Sequence, residues 1–218
     1  MPTRSEAEDN LRVIRSLMER ATIYRAVSAP VALAGGIFAL LGCGFIAMEA
    51  RASSSDRESS VLFLATWLVV LFITGCANTF FLIRDAKQRD EAILSERVRA
   101  ALRALIPGFL TAGVLSFLLA DCSFALPIVW MILYGISLLG TQHFAPRSLI
   151  LLGWAFLLTG LGFTIFFFSE GSLQNAHYSP PYYMPNLAMG ATFGLFHLVY
   201  AACTWPRKSS NTAPGVEP

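Results

Sequence analysis

Charged residues are scarce in this chain, and their absence from the apolar stretches narrows the possible classes of protein. Only 14% of the 218 residues are charged, and none of the fourteen acids lies near the middle of an apolar run. Asp121 comes closest, at the end of one run. A proton-coupled transporter would favour an ionisable group at that depth, so the sequence argues against one.

Two kinds of site signature are also missing. The four cysteines form no CxxC pair and no metal-ligand spacing. Acids nearly balance bases in the charged segments, which argues against a polybasic surface for nucleic acid. The sequence therefore predicts no nucleic-acid partner and no metal site of the usual kind.

Hydrophobic residues dominate instead, at 55% of the chain with a mean hydropathy of +0.58. These values lie outside the range of soluble globular domains. Several apolar runs approach the roughly 20 residues that a helix needs to cross hydrocarbon. The sequence therefore predicts an all-α, polytopic membrane bundle over 27–205, with six transmembrane helices at 27–48, 61–83, 105–120, 124–141, 149–168 and 187–205.

The distribution of basic residues predicts the orientation. Fourteen of the sixteen Lys and Arg residues fall on one side of the predicted bundle, and only Arg51 and Arg57 fall on the other. Because Lys and Arg accumulate in cytoplasmic loops, both termini are predicted to be cytoplasmic. The first apolar run follows more than two dozen polar and amphipathic residues, so we expect it to remain as the first helix rather than act as a cleavable signal.

Two cytoplasmic amphipathic helices are predicted, at 1–26 and in the loop 84–104. Ser5 and Glu8 have the spacing of a capping box at the predicted start of the first, and apolar residues follow at helical spacing. Such helices either lie on anionic lipid or dock a soluble partner, or they are simply solvated extensions. The tail 206–218 is predicted to be disordered because it is rich in Ser and Pro.

The outer side carries one long loop and two cysteines. The loop 169–186, SEGSLQNAHYSPPYYMPN, is rich in tyrosine and proline, and it is either a contact surface for a partner, a lid, or an interfacial aromatic belt. Cys43 and Cys122 are both predicted near the outer face. They form either a disulfide, as an oxidising compartment would allow, or remain as buried free thiols.

His197 is the main candidate for a functional side chain, because it lies within the apolar run of the last helix. Helical spacing places it on one stripe with Gly190, Gly194 and Ala201, so we expect it to face a neighbouring helix near the middle of the bilayer. An ionisable group at that depth is a functional candidate. The alternative is an interhelical hydrogen bond, to Tyr134, Ser116 or Thr159.

A cofactor role for His197 stays open beside that alternative. In this interpretation His197 faces a central pocket, with Tyr134 and Asn78 as further polar contacts. Haem is the cofactor that a lone intramembrane histidine would suit, but no second His or Met ligand is evident. No cofactor is therefore predicted.

An internal similarity suggests a possible duplication. The segments PVALAGGIFALLGC from Pro30 and PGFLTAGVLSFLLADC from Pro107 share proline, leucine and glycine at the same offsets. A duplicated two-helix unit would give three helical hairpins.

Four segments carry a resemblance over most of the chain: LRVIRSLMERATIYRAVSAPVALAGGIFALLG, LYGISLLGTQHF, LGWAFLLTGLG and FGLFHLVYAACTW. With these segments the chain resembles a family of bacterial inner-membrane proteins of about six helices, to which no activity is assigned. The resemblance implies a multi-pass protein of the bacterial inner membrane. It adds no catalytic residue.

Three hypotheses for function follow. The first is a non-enzymatic accessory, scaffold or sensory protein that acts through the lipid bilayer or a protein partner, at the amphipathic helices or the loop 169–186. The second is a small-molecule or cofactor-binding protein that uses His197. The third, a transporter, has only thin support from polar residues. The small residues would also suit a homo-oligomer, and no catalytic residue is predicted, although the sequence leaves an enzyme open.

Overall fold

The computed structural model describes residue 10 and residues 29–49, 56–88, 96–120, 122, 124–143, 145–169 and 183–205. These described residues are helical apart from short turns, and they contain no strand. The all-α prediction is therefore confirmed. Three predicted segments lie outside the described residues: the N-terminal helix 1–26 except residue 10, most of the loop 169–186, and the tail 206–218.

Six helices, joined in part by short turns, make up nearly all of the described part of the chain. They are α1 (Ala29–Glu49), α2 (Asp56–Gln88), α3 (Glu96–Leu118), α4 (Ala125–Leu139), α5 (Arg147–Ser169) and a last rod of three pieces, α6 (Tyr183–Met189), a π-helical segment (Gly190–Phe196) and α7 (His197–Thr204). We call the last rod the C-terminal helix. It and four others are long and apolar enough to cross a membrane, whereas α4 has only 15 residues. This composition indicates a helical membrane protein.

The helix that precedes the third span differs from the expected arrangement. α3 begins at Glu96, so the second half of the predicted loop 84–104 continues directly into the span. Pro107 therefore lies inside α3 rather than near its start. A proline in a helix interior removes one backbone donor, and the hydroxyl of Thr111 donates to the Pro107 carbonyl at 2.8 Å.

The helices from α3 to α5 run antiparallel in sequence order. Near one end of α4 a Cβ on Gly140 would touch Ala104, and toward its other end Trp130 bonds Ser116. Between α4 and α5, Gly135 lies against the backbone of Leu157. α4 therefore runs back between two parallel neighbours and packs against both.

α1 and the C-terminal helix form a second close pair. A Cβ on Gly36 would lie 2.8 Å from Leu198 and 3.0 Å from the Gly194 carbonyl, and one on Gly190 would lie 2.8 Å from the sulfur of Cys43. Small residues allow backbones to approach in this way where lipid provides no hydrophobic drive for association. The start of α1 and the end of α7 consequently lie at the same end of the bundle.

The predicted set of three hairpins is only partly reflected in the packing. α1 packs on α2 and α3 on α4, but α5 and the C-terminal helix contact each other sparsely. They meet chiefly where Phe156 touches Phe193 and Phe196. The buried side chains form two clusters, one around Phe156 and Tyr200 and the other around Phe63 and Trp67, and Phe193 packs against both.

Candidate functional site

The π-helical segment sets the position of His197. In an α-helix the His197 N–H would bond the carbonyl four residues back, at Phe193, but here it bonds the Gly194 carbonyl. This bond spans three residues, so the π-helical segment ends in a tighter, 3₁₀-type turn at His197. Gly190 and Gly194 lie against α1, whereas His197 contacts α4 and α5. His197 lies just past the middle of the span Met184–Thr204.

Both ring nitrogens of His197 have hydrogen-bond partners. Nδ1 lies 2.8 Å from the Phe193 carbonyl, and Nε2 lies 3.0 Å from the hydroxyl of Tyr134. A carbonyl only accepts, so Nδ1 carries the proton and donates to it. Nε2 is then the acceptor, and the Tyr134 hydroxyl donates to it. This assignment holds for the neutral imidazole, which burial among apolar side chains favours, and the two partners then fix its tautomer.

Aromatic rings enclose this pair. Tyr134 meets Phe156 edge-on at 4.8 Å between ring centroids and meets Phe109 at 6.4 Å. His197 lies 5.6 Å from Phe156 and stacks on Phe193. The close approach of α4 to α5 at Gly135 brings Tyr134 within reach of Phe156, which is fully buried. We use the name Tyr–His cluster for five residues: Tyr134, His197, Phe109, Phe156 and Phe193. Phe109, which α3 contributes, lies at its edge.

The geometry of the Tyr–His cluster limits its chemistry. A histidine that binds haem or a metal does so through a ring nitrogen with a free lone pair. In His197 that lone pair belongs to Nε2, which accepts from Tyr134. A ligand at Nε2 would therefore have to displace the Tyr134 hydroxyl from a packed aromatic shell. As it stands, the cluster is a satisfied polar contact between helices.

No family model, curated protein or solved structure matches the chain. The resemblance drawn from the sequence therefore stays a prediction.

The other predicted partners of His197 lie elsewhere. Ser116 accepts from the indole of Trp130 at 2.8 Å and donates to its own helix. No hydrogen bond among the described residues joins Thr159 to His197. Asn78 is partly buried on α2, which packs mainly on α1, and no bond within the described part of the chain connects it with Tyr134. Of the three candidate binding residues, the structure brings together only His197 and Tyr134.

Metal ligation finds no further support in the geometry. Within the residues that the structure describes, no three His, Cys, Asp or Glu side chains come together. Cys43, Cys76, Cys122 and Cys203 are all free thiols. Cys43 and Cys122 are therefore free, as one alternative predicted, but Cys43 is only partly buried and Cys122 is exposed.

A second polar contact was missed by the sequence analysis. Asn186, which was assigned to the loop 169–186, lies within α6 and is buried. Its amide nitrogen donates to the Cys43 carbonyl at 2.8 Å, and the Cys43 thiol donates to the Asn186 carbonyl at 3.4 Å. The signal available was an asparagine directly after Pro185, since proline is common in a first helical turn.

Proposed function

We propose that this protein is a non-enzymatic accessory or scaffold protein of the bacterial inner membrane, which acts through lateral contacts with another membrane protein. The fold supports this role because two of its helices lie at the margin of the bundle. α2 packs mainly on α1, and α3 packs mainly on α4. Their remaining faces are available to whatever surrounds the protein.

The exposed face of α3 is the observation that carries the proposal. Only 6% of the residues in its span Arg99–Leu118 are buried, against 39% in α1. Its large exposed side chains recur at helical spacing and form one stripe along the helix: Leu102, Ile106, Leu110, Val114 and Phe117. Phe117 is 82% exposed. A continuous ridge of large apolar groups is what a facing helix requires for ridges-into-grooves packing.

The proposed topology has six crossings with both termini in the cytoplasm. Two features support it. The antiparallel course of α3, α4 and α5 is that of successive crossings, which makes the short α4 the fourth. The excess of Lys and Arg on the side of the termini is the pattern of cytoplasmic segments.

Site-specific photo-crosslinking in cells tests the proposed function. A photoreactive amino acid is placed at Leu110, Val114 or Phe117, and, as a matched control on the packed face of the same helix, at Ala104. We expect the same protein adduct at all three exposed positions and none at Ala104. Lipid adducts alone at every exposed position would contradict a protein-binding role.

The amphipathic N-terminal segment provides a further test of how a partner docks. Deleting residues 1–20 should leave the bundle folded, as measured by helical circular dichroism, and should abolish recovery of the crosslinked partner. Equal recovery from the deleted and full-length chains would contradict docking through this segment.

Small-molecule or cofactor binding at His197 is the second candidate. The observation that favours it is the π-helical segment next to His197, because π-helical turns are often found at functional sites. In this proposal Tyr134 turns away to release Nε2, and Asn78 has no role within the cluster. Loss of a bound chromophore or metal in His197→Phe would support binding, whereas an unchanged composition with altered thermal stability would support packing alone.

A further inference from the structure

A cleft of about 270 Å³ opens between α4, α5 and the C-terminal helix. It lies at the start of α4, the end of α5 and the start of α6, which is the end of the bundle opposite Ala29 and Trp205. Every residue that lines it is apolar, and four are phenylalanines: Phe124, Phe163, Phe166 and Phe167. This cleft is separate from the Tyr–His cluster, which lies nearer the other end.

The cleft exists because the start of the C-terminal helix is held on α1. The paired hydrogen bonds between Asn186 and Cys43, together with the contact of Gly190 with Cys43, fix that end of the helix. Its opposite side then faces α4 and α5; α6 packs on α4 but has few contacts with α5. The phenylalanine rings of α5 pack on each other and on Phe124 instead, with Phe124 and Phe167 at 5.9 Å.

The cleft has a closed floor and an open mouth. Pro127 and Phe167 form the floor, and Phe167 is only 6% exposed. Leu187 and Phe166 form the rim and are 57% and 48% exposed. Apart from the three lining residues at the start of α4, the lining belongs to the apolar spans Arg147–Phe167 and Met184–Thr204. With those spans in a membrane, the exposed rim borders hydrocarbon.

We propose that this cleft binds one hydrocarbon chain of a membrane lipid. An apolar cavity of about 150 Å³ stays dry and accepts a guest as large as benzene, so a cleft of 270 Å³ admits a longer apolar segment. The lining offers no hydrogen-bonding side chain, so a headgroup has no partner inside and remains at the mouth.

Dispersion contacts supply the preference for an occupied cleft. Burial from water contributes nothing here, because lipid is as apolar as the lining. A void leaves the walls without partner atoms on one side, and a chain that fills it restores those contacts. The inference depends on the membrane placement of the spans and not on the role proposed for α3, so either can fail alone.

Photoreactive lipid identifies the occupant directly. The full-length protein is reconstituted into phosphatidylcholine vesicles that contain a small fraction of lipid with a diazirine on one acyl chain. After irradiation, the modified residues are mapped by mass spectrometry. We expect severalfold more adducts on cleft residues such as Phe163 and Leu187 than on Phe72 and Phe117, which are more exposed but do not line the cleft. This comparison needs no variant.

Two alanines of the C-terminal helix provide a matched pair of variants. Ala191 lines the cleft and is exposed, whereas Ala202 is exposed and lies outside it. Ala191→Phe should reduce the cleft adducts severalfold, and Ala202→Phe should leave them unchanged. Both variants are checked by size exclusion and helical circular dichroism before labelling.

Two outcomes would overturn the proposal. The first is labelling in proportion to exposure over all helices, with no response to Ala191→Phe, which would make the cleft ordinary lipid contact. The second is absence of cleft adducts, together with oxidation of a cysteine introduced in 170–182 and one introduced at Leu187 on the rim to a disulfide, which would show that the chain's own loop fills the cleft.

Discussion

Replacing Tyr134 by Phe removes one hydroxyl from the middle of the bundle and keeps the ring. That hydroxyl donates to Nε2 of His197 at 3.0 Å, so the variant leaves the nitrogen without a donor inside an aromatic shell. His197→Phe removes the acceptor instead, and also the bond from Nδ1 to the Phe193 carbonyl. The double variant has neither partner of the interhelical bond, and so has no unpaired atom from it.

The size of the effect follows from two ranges. An unpaired buried acceptor costs about 1 to 3 kcal/mol in soluble proteins, whereas hydrogen bonds between membrane helices contribute about 0.6 kcal/mol on average and about 1.7 at most. We expect Tyr134→Phe to lower the free energy of unfolding by about 1 kcal/mol. The coupling energy between Tyr134→Phe and His197→Phe should be about 0.6 to 1.7 kcal/mol.

Reversible unfolding by a denaturing detergent in mixed micelles, followed by helical circular dichroism, measures all four proteins of the cycle. Thr111→Ala is the control, since that hydroxyl is exposed and bonds only within its own helix. Its combination with His197→Phe should be additive. If Tyr134→Phe and His197→Phe are also additive, the two side chains are not energetically coupled and the account of the Tyr–His cluster is wrong.

Three further predictions concern other parts of the fold. Gly36→Ala should lower the free energy of unfolding by about 1 to 3 kcal/mol, because the new methyl group meets Leu198 at 2.8 Å. Gly44→Ala, with nothing within 4 Å, should cause no loss in the same detergent titration. Equal losses would contradict the close packing of α1 on the C-terminal helix. Asn186→Ala should cost about 1 kcal/mol by loss of the bond to the Cys43 carbonyl, and an unchanged unfolding midpoint would argue against that bond. In the proposed orientation the turn before α4 lies on the outer side of the membrane. Cys122, an exposed free thiol in that turn, should therefore react in intact cells with a maleimide that cannot cross the inner membrane. Reaction only after cell lysis would reverse the proposed orientation.

The sequence predicts where the helices lie in the chain better than it predicts which helices pack on each other. Long apolar runs are sufficient to locate spans, because a helix satisfies its own backbone polar groups in lipid. Pairing depends instead on which small residues meet. In the sequence, Gly36, which packs against Gly194, cannot be distinguished from Gly44, which has nothing within 4 Å of a Cβ. The sparse contact between α5 and the C-terminal helix therefore had no signature in the chain.

The candidate site was predictable in part, because polar groups within apolar helices need partners. A histidine within an apolar run needs a polar partner, and few hydroxyls lie at its depth, so Tyr134 was among three candidates. The π-helical segment was not predictable, because apolar residues at α-helical spacing carry no mark of a wider turn. At its end the His197 N–H bonds the Gly194 carbonyl while the His197 ring bonds the Phe193 carbonyl, and the ring contacts α4 and α5 rather than α1, which the glycines face. Asn186 was missed because the helix starts earlier than the apolar run does.

The short α4 has a consequence for the membrane around it. Its 15 residues rise about 22 Å, less than the roughly 30 Å of the hydrocarbon layer. α3 and α5 flank it and are long enough to reach both surfaces, so the shortfall is confined to a narrow section of the molecule. In the proposed six-crossing topology, lipid beside α4 has to thin or tilt to match this short helix. With that topology the bilayer would be locally thinner beside α4, and a membrane that is already thin would accommodate the protein at least cost.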